Sequence, residues 1–338
     1  MKFRTLSALL LLASYFLLPT PSYAQLSPEQ ALQQLTQTVS INMSPEYPGP
    51  NSNVNISIES FSTDLDTSKI SWSVGEVVKK SGLGVKDFSL QTGPSGKSIT
   101  VNISIEPQIG TSFIKTVTIQ PGEVDLLWQG KSYTPPFFKG RALWSNQGQI
   151  IFLAIPHTSS ADGTPLKPSD LIYRWSKDGT VLSNLSGTGK SSITLTDSVL
   201  SLPQTITVEV MSDTNTIVGS KSIRLASIAP SVLIYEDSPL YGPLFNREVG
   251  TNFILGSQEV SFSAFPLFFS TVSKSDSNIS YSWGTNSASE QPGDRITFRA
   301  PDTGSGSSNI SLKIDNISKI LQSTQRSFLV QFGNTNNI

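Results

Sequence analysis

Three stretches decide the fold: "SKISWSV" (Ser68–Val74), "DLIYRWSKDG" (Asp170–Gly179) and "NISYSWGTN" (Asn278–Asn286). Each sets a tryptophan in a run whose apolar residues fall at every second position. They are Ile70, Trp72 and Val74; Leu171, Tyr173 and Trp175; and Ile279, Tyr281 and Trp283. Period-two alternation sends one row of side chains to a core and the other to water, the pattern of a half-buried antiparallel strand. The tryptophans recur about 100 residues apart, the length of one β-sandwich.

The surroundings of each tryptophan recur in step. A short strand follows at Phe88, Ile193 and Ile296. Turn-rich stretches come next: "QTGPSGKS", "TDSVLSLPQ" and "RAPDTGSGSS". A longer alternating strand is centred on Val101, Val208 and Leu312, and closing strands lie at "IKTVTIQ", "KSIRLAS" and "RSFLVQF". Upstream, "NISIES" (Asn55–Ser60), "FLAIP" (Phe152–Pro156) and "FSAFP" (Phe262–Pro266) occupy comparable places. The expected fold is all-β, with three tandem sandwiches over 39–123, 124–230 and 231–338. Trp72, Trp175 and Trp283 are their expected structural core residues. Asn-x-Ser sequons at Asn42, Asn55, Asn102, Asn184, Asn278, Asn309 and Asn316 mostly fall in such alternating runs, where Asn and Ser form the wet face of a strand.

One aromatic stretch interrupts this polar chain: "YTPPFFKGRALW", Tyr133–Trp144. It has a counterpart in "YGPLFN", which starts at Tyr241 and stands as far before Trp283 as Tyr133 stands before Trp175. "DLLWQ" (Asp125–Gln129) and "VLIYE" (Val232–Glu236) precede them. The repetition reads as architecture: a domain-opening edge strand, where proline loses no ladder bond and discourages edge-to-edge pairing. Trp128, Tyr133, Phe137, Phe138, Trp144, Tyr235, Tyr241 and Phe245 are therefore the candidate junction or binding aromatics. The competing use is stacking on sugars, which needs them exposed.

The first residues read as an address. Lys2 and Arg4 precede the apolar run Leu6–Leu18, Pro19 and Pro21 break it, and Ser22-Tyr23-Ala24 fits a cleavage site. Residues 1–24 are expected to be a signal peptide. The alternative is an uncleaved N-terminal anchor. Pro28 and Glu29 suit a first helical turn, so 25–38 reads as a leader or short helix. The chain is then exported to the periplasm, the cell surface or the extracellular space. No stable membrane span is expected after cleavage, since "QFGNTNNI" ends the chain without one. There is no cysteine, so each sandwich must be held by its core without disulfides, which points to a bacterial exported protein. With 24 basic and 25 acidic residues and no basic patch, nucleic acid is not an expected partner.

Tempting chemistry is weak. "NLSGTGKS" (Asn184–Ser191) nearly spells a phosphate-binding loop, but that loop needs a glycine at Asn184 and a helix after the Lys-Ser, and "SITLTD" follows as a strand. His157 is the only histidine and sits after Pro156 at a strand end, where a loop histidine is the default reading. Thiol catalysis and thiolate metal sites are excluded without cysteine. Asp64 with Asp66, and Glu236 with Asp237, are carboxylate pairs better read as turn residues than as a glycosidase pair. Calcium on such loops is the stronger of the functional alternatives, though no dense acidic loop is present. No catalytic, cofactor-binding or metal residue is assigned, and no cofactor is expected.

A tryptophan on a central strand followed by a tight turn resembles bacterial immunoglobulin-like and PKD-like domains. "YRWSKDG" (Tyr173, Trp175, Asp178, Gly179) is the best immunoglobulin-like match, and "WSVGE" (Trp72–Glu76) resembles a weakened PKD turn. "SWGTN" keeps only the tryptophan. The resemblance covers roughly residues 39 to 333. It implies an immunoglobulin-like sandwich fold and extracellular spacing, adhesion or assembly roles, without an enzyme activity. The expected partners are envelope or surface-appendage proteins; the alternative is an array of carbohydrate-binding modules with polysaccharide as the ligand.

Overall fold

Each tryptophan strand pairs with the long alternating strand that follows it. Trp72 lies opposite Ile103, Trp175 opposite Val208 and Trp283 opposite Leu312. The computed structural model describes residues 39–333 apart from 161, 197, 199–201, 214, 215 and 287. The signal peptide and leader expected at 1–38 lie outside the described residues. Among the described residues no helix is long and apolar enough to cross a membrane.

The first seven strands are β1 (Val39–Ser44), β2 (Asn53–Ser60), β3 (Lys69–Val74), β4 (Val77–Leu83), β5 (Asp87–Gln91), β6 (Ile99–Glu106) and β7 (Phe113–Ile119). They form two antiparallel sheets, ordered β1-β2-β5 and β4-β3-β6-β7. Ile56 and Ile58 from one sheet and Ile70, Trp72 and Ile103 from the other meet between them with almost no exposure. The sequence alternation thus becomes the inner faces of a two-sheet sandwich.

The next strands repeat the plan: β8 (Glu123–Gly130), β9 (Gln149–His157), β10 (Ile172–Lys177), β11 (Thr180–Val181), β12 (Gly187–Thr188), β13 (Ser192–Thr196), β14 (Gln204–Met211) and β15 (Ile217–Leu225). The sheets are β13-β9-β8 and β11-β10-β14-β15, with β12 also on β10. The Asp178-Gly179 pair has positive φ at both residues, 49° and 80°, and closes the β10–β11 hairpin at Lys177 and Thr180. A two-residue loop of that twist matches the flanking strands, which is why Asp-Gly is favoured there. Asp178 adds a side-chain acceptor for the Thr205 amide at 2.7 Å.

The last strands are β16 (Ser231–Ser238), β17 (Gly242–Glu248), β18 (Asn252–Ile254), β19 (Glu259–Leu267), β20 (Ile279–Thr285), β21 (Ala288–Pro292), β22 (Arg295–Arg299), β23 (Gly306–Asn316) and β24 (Ser323–Phe332). Their sheets are β17-β16-β19-β22 and β18-β24-β23-β20-β21. β18 pairs parallel with β24, while the other neighbours are antiparallel.

In each sandwich one sheet joins the opening strand, the strand before the tryptophan strand and the short strand before the long alternating one (β1-β2-β5, β8-β9-β13 and β16-β19-β22), and the other sets the tryptophan strand between its hairpin partner and the long alternating strand, the order of an immunoglobulin-like sandwich. The protein is all-β and built of such sandwiches in tandem. The three tryptophans are fully buried in three separate hydrophobic clusters. Each indole Nε1–H donates to a backbone carbonyl: Trp72 to Val85 at 2.8 Å, Trp175 to Lys190 at 2.9 Å, and Trp283 to Gly293 at 3.0 Å. A buried indole needs that partner, because an unpaired N–H in an apolar core is costly.

Candidate functional site

The candidate site is the contact between the second and third sandwiches, where the aromatic stretch 133–144 lies. Residues 131–148 leave β8, make an excursion, and return to β9. Its base is tied to the second sandwich: the Gly130 amide donates to Ala142 O at 2.8 Å and the Lys131 amide to Gln149 O at 2.7 Å. A Cβ on Gly130 would lie 2.2 Å from Leu143 O, so a side chain there is excluded. The outer part reaches the third sandwich. The Tyr133 amide donates to Phe269 O at 2.7 Å, and the Phe268 amide donates to Tyr133 O at 2.8 Å. Burial pushes the Tyr133 hydroxyl above its ordinary pKa.

The stretch expected as a domain-opening strand is therefore not a strand. Pro135 and Pro136 supply no amide donor, and the Phe138 amide turns back to Pro135 O at 2.9 Å. Its counterpart "YGPLFN" does enter a strand, β17. The two segments have similar sequences but different backbones. Phe137 of the excursion packs against Phe245 (ring centroids 4.5 Å apart), Tyr235 (5.5 Å) and Phe265 (5.5 Å), and Phe138 packs edge-on against Phe268 (5.5 Å). Tyr235 and Phe265 lie on the outer face of the β16–β19 sheet, because Ile234 and Ala264 beside them point into the core. Edge-to-face rings in this range add to area burial.

A second, polar contact lies beside the aromatic one. Gln322 is 1% exposed. Its Nε2 donates to Asn146 O (2.6 Å) and Ser270 Oγ (2.7 Å) and approaches Ser145 Oγ (3.1 Å). Its Oε1 accepts from the Ser270 amide (2.9 Å) and Asn316 Nδ2 (3.0 Å). Lys319 Nζ donates to Gln147 O at 2.7 Å, and the Leu321 amide to Gln147 Oε1 at 2.8 Å. A Cβ on Gly148 would meet Ser145 Oγ at 2.6 Å and Ser270 Oγ at 2.9 Å, so the two loops close on a bare backbone there.

The remaining candidate aromatics are placed differently. Trp144 is 2% exposed and belongs to the core of the second sandwich, its Nε1 donating to Gly148 O at 3.1 Å. It is a core residue rather than a junction one, because the excursion folds back onto its own sandwich at that point. Trp128 is half-buried, with the Arg141 guanidinium 4.3 Å above its ring. Phe245 is part of the Phe137 cluster, and Tyr241 is exposed. No sequence signal separated Gln322 or Gln147 from the chain's other polar residues, because their importance comes from distant loops meeting.

At the first junction the Tyr47 hydroxyl donates to Glu209 Oε1 at 3.3 Å, and the Gly96 amide to Pro121 O at 3.1 Å. A Cβ on Gly122 would lie 1.6 Å from Val218 O, so the chain entering β8 runs directly against β15.

The motifs that suggested chemistry are accounted for locally. Lys190 Nζ donates to Asn184 O within its own loop at 2.9 Å, and β13 follows where a phosphate loop needs a helix. His157 Nε2 pairs with Asp125 Oδ2 at 2.9 Å on an exposed sheet face, and the Ser95 hydroxyl donates to the backbone carbonyl of His157. Asp64 accepts from the Thr67 hydroxyl and the Asp66 amide, which holds its carboxyl below the usual range, and Asp66 pairs with Lys86 at 2.9 Å. Asp237 is buried and paired with Arg295 (2.6 Å) and Ser263 (2.6 Å), as a buried charge requires. Among the described residues no group of three or more His, Asp or Glu could hold a metal ion.

No protein-family model matches the chain, and no curated protein matches it. Solved structures with some likeness are arrays of sandwich domains. The three N-terminal domains of the bacteriophage RB49 highly immunogenic outer capsid protein are 13% identical, with 88% of this chain and 99% of that one covered and a TM-score of 0.25. Fibronectin(III)-like modules of Clostridium thermocellum CbhA are 13% identical, covering 56% of this chain and 94% of that one, at 0.24. A central fibronectin-III array of RIM-binding protein is 11% identical, covering 88% and 96%, at 0.31. TM-scores this low carry no inference to this chain. Its class, a tandem array of immunoglobulin-like sandwiches, rests on its own strand order.

Replacing Phe137 by serine is expected to uncover Tyr235 and Phe265 and to cost the junction about 2–3 kcal/mol. Limited proteolysis checks this: the variant should be cut within 131–148 faster than the wild type, with the three cores intact.

Proposed function

We propose that the protein is an exported, non-enzymatic spacer or scaffold that works through protein–protein contacts at a cell envelope or surface. The carrying observation is the junction built from the 131–148 excursion and Gln322. A spacer needs joints that hold an angle, and this one combines an aromatic cluster with buried, directional hydrogen bonds. We assign the sandwiches to 39–123, 124–230 and 231–338, with residues 1–24 as a cleaved export signal and 25–38 as a leader. The partners in this reading are envelope or surface-appendage proteins. Phe137, Phe138, Trp128 and Trp144 are packed against other residues instead of forming an open stacking platform, which supports protein contact over polysaccharide.

Crosslinking intact producing cells, followed by mass spectrometry of what is joined to the chain, tests the reading. Crosslinks to defined envelope or appendage proteins are expected. A chain joined to no protein and retained on polysaccharide would contradict it.

A further inference from the structure

The outer face of the β8–β9–β13 sheet carries an unpartnered apolar stripe. Leu127 is 52% exposed, Leu153 39%, Ile151 37% and Ile155 37%. Register makes them contiguous: Leu127 lies opposite Leu153, and the other two flank Leu153 along β9 on the same face. The inner face of β9 is apolar too, with Ile150, Phe152 and Ala154 in the core. A strand that is apolar on both faces is normally covered on both.

The other two sandwiches show what this face does when it needs cover and when it does not. Matching core residues of the strands that precede the tryptophan strands (Val54, Ile56, Ile58; Ile150, Phe152, Ala154; Val260, Phe262, Ala264) aligns the outer faces. In the first sandwich the outer positions are Asn55, Ser57 and Glu59, which water covers. In the third, Phe265 stands where Ile155 does, and Tyr235 where Leu127 does. Both are 6% exposed, sealed by Phe137 of the Pro-Pro-Phe-Phe excursion and by Phe245. The second sandwich has the apolar face, and no described residue covers it. The loop of the first sandwich that approaches it touches only its end, through Ser95 at His157 O. Among the described residues nothing else is recorded on the stripe.

We propose that this face is the docking site for an extended segment of a partner protein that carries proline next to an aromatic residue, the chemistry that seals the equivalent face of the third sandwich. The four side chains expose on the order of 300 Å² of apolar surface, which suits a peptide segment and falls short of the roughly 800 Å² per partner of a stable dimer. The excursion of a second copy is already bonded into its own third sandwich. The proposal rests on the scaffold reading above and names its contact surface.

The test uses the chain from residue 25 to 338 and a fluorescein-labelled peptide copying Lys131–Ala142, KSYTPPFFKGRA, followed by fluorescence anisotropy. Saturable binding with a Kd below about 1 mM is expected, at least tenfold weaker in the Leu127→Asn/Ile155→Glu double variant. Asn42 and Glu59 occupy the equivalent positions of the first sandwich, so the variant is expected to fold, which circular dichroism melting verifies. A peptide with both phenylalanines changed to serine should not bind. Absence of saturation, or binding unchanged in the double variant, overturns the proposal. So does binding that emerges only after residues 25–38 are deleted, which would make the chain's own leader the occupant. A wild-type dimer in sedimentation that the double variant abolishes would assign the face to a second copy and overturn it as well. Failure of peptide binding leaves the scaffold reading to stand or fall on crosslinking in cells.

Discussion

Replacing Trp175 by alanine is expected to unfold the second sandwich at a markedly lower temperature than the wild type. The indole is fully buried among Ile150, Phe152, Ile206 and Val208, and its Nε1–H satisfies the Lys190 carbonyl at 2.9 Å. Truncation leaves a cavity and strands that carbonyl. Substitutions of this kind cost about 3–5 kcal/mol, against a total stability of roughly 5–15 kcal/mol for a domain. No disulfide compensates, since the chain has no cysteine. A unit of this size loses about 4–8 °C per kcal/mol, so calorimetry should show one transition falling by roughly 12–40 °C. Trp175→Phe should fall less. A shift of all three units together, or of only a few degrees, would contradict three separately held cores.

Gln322→Ala is expected to loosen the second junction while leaving the sandwiches folded. The side chain joins Asn146 and Ser145 on one side to Ser270 and Asn316 on the other. Its removal strands several buried polar groups, each costing about 1–3 kcal/mol when unpaired. Partial relaxation makes the sum smaller than the parts, and about 2–4 kcal/mol is expected. Gln322→Glu should fare no better, because a carboxylate cannot donate to the Asn146 carbonyl. Hydrogen exchange reads the effect: the Leu321 amide should lose protection in both variants and the Ser270 amide in Gln322→Ala alone, since the carboxylate of Gln322→Glu still accepts from it, while the core amides of β20 and β23 keep theirs. Unchanged protection at Leu321 and Ser270 in Gln322→Ala would count against a locked joint.

The sandwiches were legible in the sequence because period-two alternation reports burial directly, and a tryptophan recurring at a fixed interval reports the same environment three times. The short strands at Phe88, Ile193 and Ile296 were legible for the same reason. The excursion was not. "YTPPFF" and "YGPLFN" look alike, yet one is a loop and the other begins β17, because what decides between them is the neighbouring sandwich, which sequence does not place. Trp144 was misplaced at the junction because a loop that turns back into its own core has no periodicity to announce it. Gln322 and Gln147 carried no signal at all: glutamine is ordinary on a polar surface and becomes structural only when loops more than a hundred residues apart close over it. The outer stripe Ile151, Leu153 and Ile155 was visible in "QIIFLAIPH" as a run apolar at nearly every position, but only the comparison of equivalent faces shows how it differs from the polar face of the first sandwich and the packed face of the third.

Small-angle X-ray scattering of residues 25–338 tests the proposed scaffold reading most directly, in which three sandwiches form an extended rod with fixed joints. A compact globule of this length has a radius of gyration near 20 Å. Three units of about 35 Å end to end predict roughly 30 Å and a rod-like distance distribution. A value near the compact one, or a profile that only an ensemble of freely jointed units can fit, would contradict the account.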